Sequence, residues 1–148
     1  MFRGTSYHTI DPKGRFIIPA RFRDVIKANG GDGIMITRMD DCLFAYTQDQ
    51  WGKLEQKILD LPQKDEAMRR FQRVFIGGAH DCRYDAQGRV LIPPSLKQYS
   101  GLEKDIVLVG VLNRFEIWSR ENYDRESGRF DKDMQDDLVR SEIADLSL

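Results

Sequence analysis

Short alternating and aliphatic stretches, punctuated by glycine and proline, fill the first third of the chain and then recur. The pattern predicts strands from Ser6 to Ile10 and from His80 to Tyr84, each running into a turn, Asp11-Pro12-Lys13-Gly14 or Asp85-Ala86-Gln87-Gly88. Gly14 and Gly88 suit such turns because they accept positive φ without steric cost. Outgoing strands are expected over Arg15–Ile18 and Arg89–Ile92, ending at Pro19 and Pro93, which have no amide proton for a ladder. Short helices follow at about 20–27 and 94–99, the second opened by Pro94. Two more apolar strands complete each pattern, around Ile34–Thr37 and Leu43–Tyr46, and around Ile106–Val109 and Phe115–Trp118.

Beyond the first set the period lengthens. Trp51, Leu54, Ile58 and Leu61 fall at helical spacing until Pro62 breaks the run. Met68, Phe71 and Phe75 mark a second helix over 64–76, and Phe130, Met134 and Leu138 a charged helix over 130–140. These stripes read as packing surfaces that need a cover. The helical segments after the two strand sets look different from each other.

The segment 11–22 matches 85–96 at an offset of 74, with Asp, Gly, Arg, the second Ile and Pro identical. The later strands match at an offset of 72, and the two-residue change falls in a turn, where a duplication tolerates it. About 50 residues of short strands bury little apolar surface, so the copies are expected to complete one pseudo-twofold β barrel together. The expected organisation is a first repeat over 1–52, connecting helices over 53–76, a second repeat over 77–123 and a C-terminal helix and tail over 124–148.

Charge alters this picture more than composition does. The chain is 148 residues long with net charge −1, which taken alone argues against nucleic acid. Residues 1–27 and 69–97 nevertheless each carry +4 by count, while residues 121–148 carry −5. What a polyanion would meet depends on where these segments lie. No apolar run nears the ~20 residues of a membrane span and no signal segment is evident, so a cytoplasmic protein is expected. Cys42 and Cys82 lack metal-ligand spacing and read as buried thiols; His8 and His80 are far apart, and no metal or cofactor is expected.

The paired Asp-x-x-Gly-Arg turns, the opening Met1-Phe2-Arg3-Gly4 and the run Val109 to Trp118 resemble the MraZ family over roughly residues 1–140. The resemblance implies a mainly β fold with helices (α+β). It is a swapped-hairpin double-split β-barrel of two tandem AbrB/SpoVT-like repeats with flanking helices. It also implies a transcriptional regulator that binds double-stranded DNA at direct repeats. Those repeats lie in the promoter of the division and cell-wall gene cluster, which includes the regulator's own gene. Such proteins associate with the nucleoid and assemble as homo-oligomeric rings. On the motif positions, Arg15 and Arg89 would face DNA, with Lys13 beside the first and Gln87 replacing that lysine in the second copy.

Physical chemistry offers a plainer role for part of the motif. Asp11 and Asp85 can cap the turn amides and pair with the arginine four residues on. Arginine at a hairpin base can also fork onto phosphate or onto guanine O6 and N7, and a lysine at the tip suits phosphate. Arg3, Arg21, Arg23 and Arg83 would extend the basic surface or remain solvated. No phosphate-cradling loop, nucleophile elbow or paired-histidine site is evident, so neither catalysis nor a small-molecule substrate is expected. The rival reading is an antitoxin-like or protein-binding scaffold of the same swapped-hairpin class.

Overall fold

A computed structural model describes residues 1–62 and 65–148. Among the described residues, eight strands and six helices occur in the order β1 (Phe2–Thr9), β2 (Arg15–Ile17), α1 (Ala20–Ala28), β3 (Gly33–Met39), β4 (Cys42–Thr47), α2 (Gln48–Leu59), α3 (Glu66–Phe75), β5 (His80–Arg83), β6 (Arg89–Leu91), α4 (Pro94–Ser100), β7 (Asp105–Leu112), β8 (Phe115–Ser119), α5 (Arg120–Asp133) and α6 (Asp137–Ala144). The start of the helix expected over 64–76 lies outside the described residues.

The strands form an antiparallel six-stranded sheet, β1-β7-β8-β4-β3-β5, and a two-stranded ribbon, β2-β6. Exchanging the repeats reverses the six-stranded order onto itself. The first strand of each repeat pairs with the third strand of the other: β1 lies on β7 and β5 on β3. Registers agree as well, since Thr9 opposite Asp105 corresponds to Arg83 opposite Gly33. Ile18 N donates to the Gly88 carbonyl and Ile92 N to the Gly14 carbonyl, both at 2.9 Å, so each turn is bonded to the other repeat's strand.

The ladders do not form the closed barrel expected from the repeats. The sheet is open, with β1 and β5 at its edges, and the ribbon is a separate ladder. β2 and β6 are only three residues each and pair with one another, so they do not bridge the two edges.

One core lies between these layers and draws on both repeats. Phe2, Phe22 and Phe115 meet with ring centroids 4.9–5.2 Å apart. Phe16, Ile18, Ile34, Val90, Ile92 and Leu108 close around them. A second cluster on the outer face of the sheet holds Phe44, Tyr46, Val107 and Trp118 under α2 and α3. There Trp51 stacks on Phe75 and Phe75 on Phe71. Cys42 and Cys82 are buried free thiols, and burial pushes the pKa of both up, that of Cys82 to about 11.

After their strands the repeats prove alike, contrary to the sequence reading. Thr47 and Ser119 cap α2 and α5 with their hydroxyls, and Asp65 and Asp136 cap α3 and α6 with their carboxylates. The single helix expected over 130–140 is therefore two helices, broken where Asp136 accepts the Leu138 amide. Packing is what differs. α2 and α3 bury Trp51 and Phe75, whereas α5 and α6 have no fully buried residue, and Phe130 and Leu138 are 56% and 77% exposed. No helix among the described residues is long and apolar enough to cross a membrane.

Candidate nucleic-acid interface

The two Asp-x-x-Gly-Arg turns are built alike, bond for bond. Asp11 Oδ1 accepts from the amides of Lys13 and Arg15, both at 2.9 Å. Asp85 Oδ1 accepts from Gln87 at 3.0 Å and Arg89 at 2.9 Å. Gly14 and Gly88 donate to the carbonyls of Asp11 and Asp85 and take φ of +88° and +79°. The arginine then folds back on its aspartate: Arg15 Nε reaches Asp11 Oδ2 at 2.8 Å and Arg89 Nε reaches Asp85 Oδ2 at 2.9 Å. The backbone amides of Arg15 and Arg89, helped by their guanidinium groups, hold both carboxyls below the ordinary aspartate pKa.

Capping and arginine presentation, weighed against each other on the sequence, are thus one arrangement. The aspartate engages Nε, on the inner side of the guanidinium, and the terminal nitrogens Nη1 and Nη2 lie beyond that bond. Arg89 Nη2 makes one further long contact, 3.5 Å to Gln87 Oε1. The Arg15 and Arg89 side chains retain 31% and 35% of their exposure, so neither is interior.

The ribbon sets both on one face. Phe16 pairs with Val90, and both point into the core. Arg15 lies opposite Leu91 and Ile17 opposite Arg89, so by strand alternation all four project outward together. The arginines occupy one diagonal of this block and the aliphatic residues the other.

Other bases named from the sequence fall into separate settings. Lys13 is exposed at the tip of the first turn, as is Gln87 at the second. Arg83 is held by Asp32 at 2.7 Å and Asp81 at 3.6 Å. Arg21 lies over the Phe22 ring and donates to Ser6 Oγ. Arg3 sits opposite Val111, at the end of β1 remote from the turn, ~20 Å from Thr9 at about 3.4 Å per strand residue. Arg23 has a structural place: its Nη1 donates to the Ile18 carbonyl while the side chain covers Gly88, which ties repeat one to the turn of repeat two. Ile17 and Leu91, 53% and 54% exposed, were not singled out from the sequence. Extending the alternation around Phe16 and Val90 would have placed them beside the arginines.

The clamp yields a prediction that separates positioning from bulk charge. Asp11→Ala with Asp85→Ala makes the ribbon more positive by two charges, yet should weaken polyanion binding about threefold or more, because the arginines lose their orientation. Fluorescence anisotropy on a labelled duplex reads this directly; tighter binding would show that net charge outweighs the clamp.

The MraZ protein family model, whose description calls the family antitoxin-like, matches residues 1–74 and again 75–138. Three proteins named transcriptional regulator MraZ are similar to this chain. That of Desulforapulum autotrophicum is 55% identical over 148 residues, and that of Desulfosudis oleivorans is 51% identical over the same length, both covering 100% of each chain. That of Acetivibrio thermocellus is 40% identical over 149 aligned residues, again with 100% of each chain covered. Among solved structures, PHS018 from Pyrococcus horikoshii aligns over 79% of this chain and 88% of its own at 17% identity, with a TM-score of 0.34, too distant to bear on the fold.

Proposed function

The chain belongs to the MraZ family, and from that premise we propose that it is a transcriptional regulator whose β2–β6 ribbon grips double-stranded DNA. The observation that carries this reading is the placement of Arg15 and Arg89 together on one outward face, each oriented by its own aspartate. A two-stranded β ribbon fits the major groove, and arginine there forks onto guanine O6 and N7 or onto a flanking phosphate. Lys13 at the tip supplies a phosphate contact. Arg21 and Arg83, each already partnered, and the remote Arg3 take supporting places on the basic surface. The asymmetry of Lys13 against Gln87 makes the first turn the more strongly held.

The proposed target is a set of direct repeats in the promoter of the division and cell-wall gene cluster, upstream of the protein's own gene, with the bound protein associated with the nucleoid. Exchange of β1 and β5 between the repeats supports the swapped-hairpin assignment, and the family matches support a repeat boundary near residue 76. Assembly as a ring would let several ribbons engage several DNA repeats. Linked contacts raise apparent affinity by ~10²–10⁴ when the geometry fits, which suits a chain of net charge −1.

Footprinting on the protein's own upstream DNA tests the target: the reading requires protection at repeated, evenly spaced sequences. Salt tests the contacts. If the assembled particle neutralises ~6 phosphates, log K against log[salt] falls with a slope near −5 or steeper, whereas a flat response removes phosphate pairing as the source of affinity. The family's antitoxin-like description supports a second reading, in which a small toxin co-purifies with the chain and DNA binding is secondary.

A further inference from the structure

We infer that Ile17 and Leu91 are sequence-reading residues that pack against thymine methyl groups in the major groove. The inference rests on the DNA-binding reading above and goes beyond it by naming the apolar half of the contact. Both side chains belong to three-residue strands whose inward neighbours, Phe16 and Val90, are 2% and 0% exposed, while they themselves remain more than half exposed. Core packing therefore does not require branched aliphatic residues at these places. They are also equivalent positions of the duplication, so the same kind of exposed aliphatic stands in both copies beside the same kind of clamped arginine.

Their surroundings point to the occupant. Each aliphatic lies directly across the ribbon from an arginine, at the ~4.5–5.5 Å Cβ spacing of paired strand residues. Neighbours on one face of a strand are ~6.7 Å apart, about two base-pair steps at 3.4 Å. In the major groove the only apolar group on a base edge is the thymine 5-methyl, and guanine offers the acceptors that arginine forks onto. A protein partner would also accept an apolar patch, but the two guanidinium groups interleaved with the aliphatics favour a surface that alternates acceptors and methyls within a few ångströms. The block therefore reads guanine and thymine at neighbouring steps, and its pseudo-twofold arrangement places two such readings in one short site.

The full-length protein would first enrich duplexes from a random-sequence library, and the preferred duplex would then be resynthesised with deoxyuridine replacing thymine one position at a time. Deoxyuridine keeps every hydrogen-bonding group and removes only the methyl. The expected result is a loss of threefold or more in affinity at one or two positions within two steps of a preferred guanine. Ile17→Ser with Leu91→Ser should abolish that difference while the guanine preference and the thermal melt persist. Equal binding of thymine and uracil duplexes at every position overturns the inference but leaves the DNA-binding reading standing. Retained thymine selectivity in the double variant also overturns it. Failure to enrich any sequence overturns both.

Discussion

Replacing Arg15 and Arg89 together by alanine should lower DNA affinity at least a hundredfold and leave the fold intact. A bidentate arginine contact to the correct base is worth ~1–3 kcal/mol, and about 1.4 kcal/mol is a factor of ten, so the pair accounts for roughly two decades in one subunit. Each single variant should lose about tenfold. The fold has little at stake, because the amides of residues 15 and 89 still donate to their aspartates and Phe16 and Val90 keep the ribbon on the core. What disappears are two partly exposed ion pairs, each worth ~0–1 kcal/mol. Anisotropy titration on the upstream duplex, with circular dichroism as the control for folding, checks both halves. An affinity within twofold of the parent would remove these arginines from the interface.

Gly110→Ala should strip β1 from the second repeat and destabilise the fold strongly. Gly110 faces Gly4 across the β1–β7 ladder. A Cβ added there would lie 2.6 Å from the Phe2 carbonyl carbon and closer still to the Arg3 amide nitrogen. Both are backbone atoms and cannot rotate away, so β1 must separate from β7. Phe2 rides on β1 into the core against Phe22 and Phe115, and it moves with the strand. Overpacking of well-packed sites costs ~1–3 kcal/mol and occasionally more, and a backbone clash belongs at the upper end, about 3 kcal/mol. For a chain of this size that lowers the melting temperature by ~6–12 °C. Gly52 supplies the control: nothing lies within 4 Å of its added Cβ, and Gly52→Ala inside α2 should stabilise by ~0.5–1 kcal/mol. A Gly110→Ala protein that melts with the parent would mean that β1 is not tightly laid on the second repeat.

That exchange of strands is also where the sequence stopped being informative. The duplication and both turns were legible because Asp, Gly and Arg recur at fixed spacing, and each has a local physical role: cap, positive φ and paired guanidinium. Pairing of β2 with β6 was not legible. It joins segments far apart in the chain, and three residues are too few to display a period. Alternation within each strand sets Ile17 beside Arg15 and Leu91 beside Arg89; only the register brings the two pairs together on one face, which no local pattern states. Arg23 looked like one more surface base because the glycine it covers, Gly88, lies in the other repeat, while its donor goes to the Ile18 carbonyl of its own.

The C-terminal region shows the opposite failure. Its helices repeat α2 and α3 down to their caps, Thr47 with Ser119 and Asp65 with Asp136, and those caps were present to be read. Glu126 and Glu142 stand where α2 and α3 carry Leu54 and Phe71, which interrupts the apolar stripe and hid the shared element order. The acidic balance of residues 121–148 sits on these helices, whose first member packs on β7 and β8.

Photocrosslinking from the turn tips tests the claim on which the functional account depends. A photoreactive side chain at position 13 or at position 87 should crosslink to the footprinted duplex, at bases or phosphates flanking the same major-groove steps, while the same group at position 53, exposed on α2 over the outer face of the sheet, should not. Crosslinks from position 53, with none from either turn tip, would place the duplex on another face of the protein and contradict the ribbon as its grip.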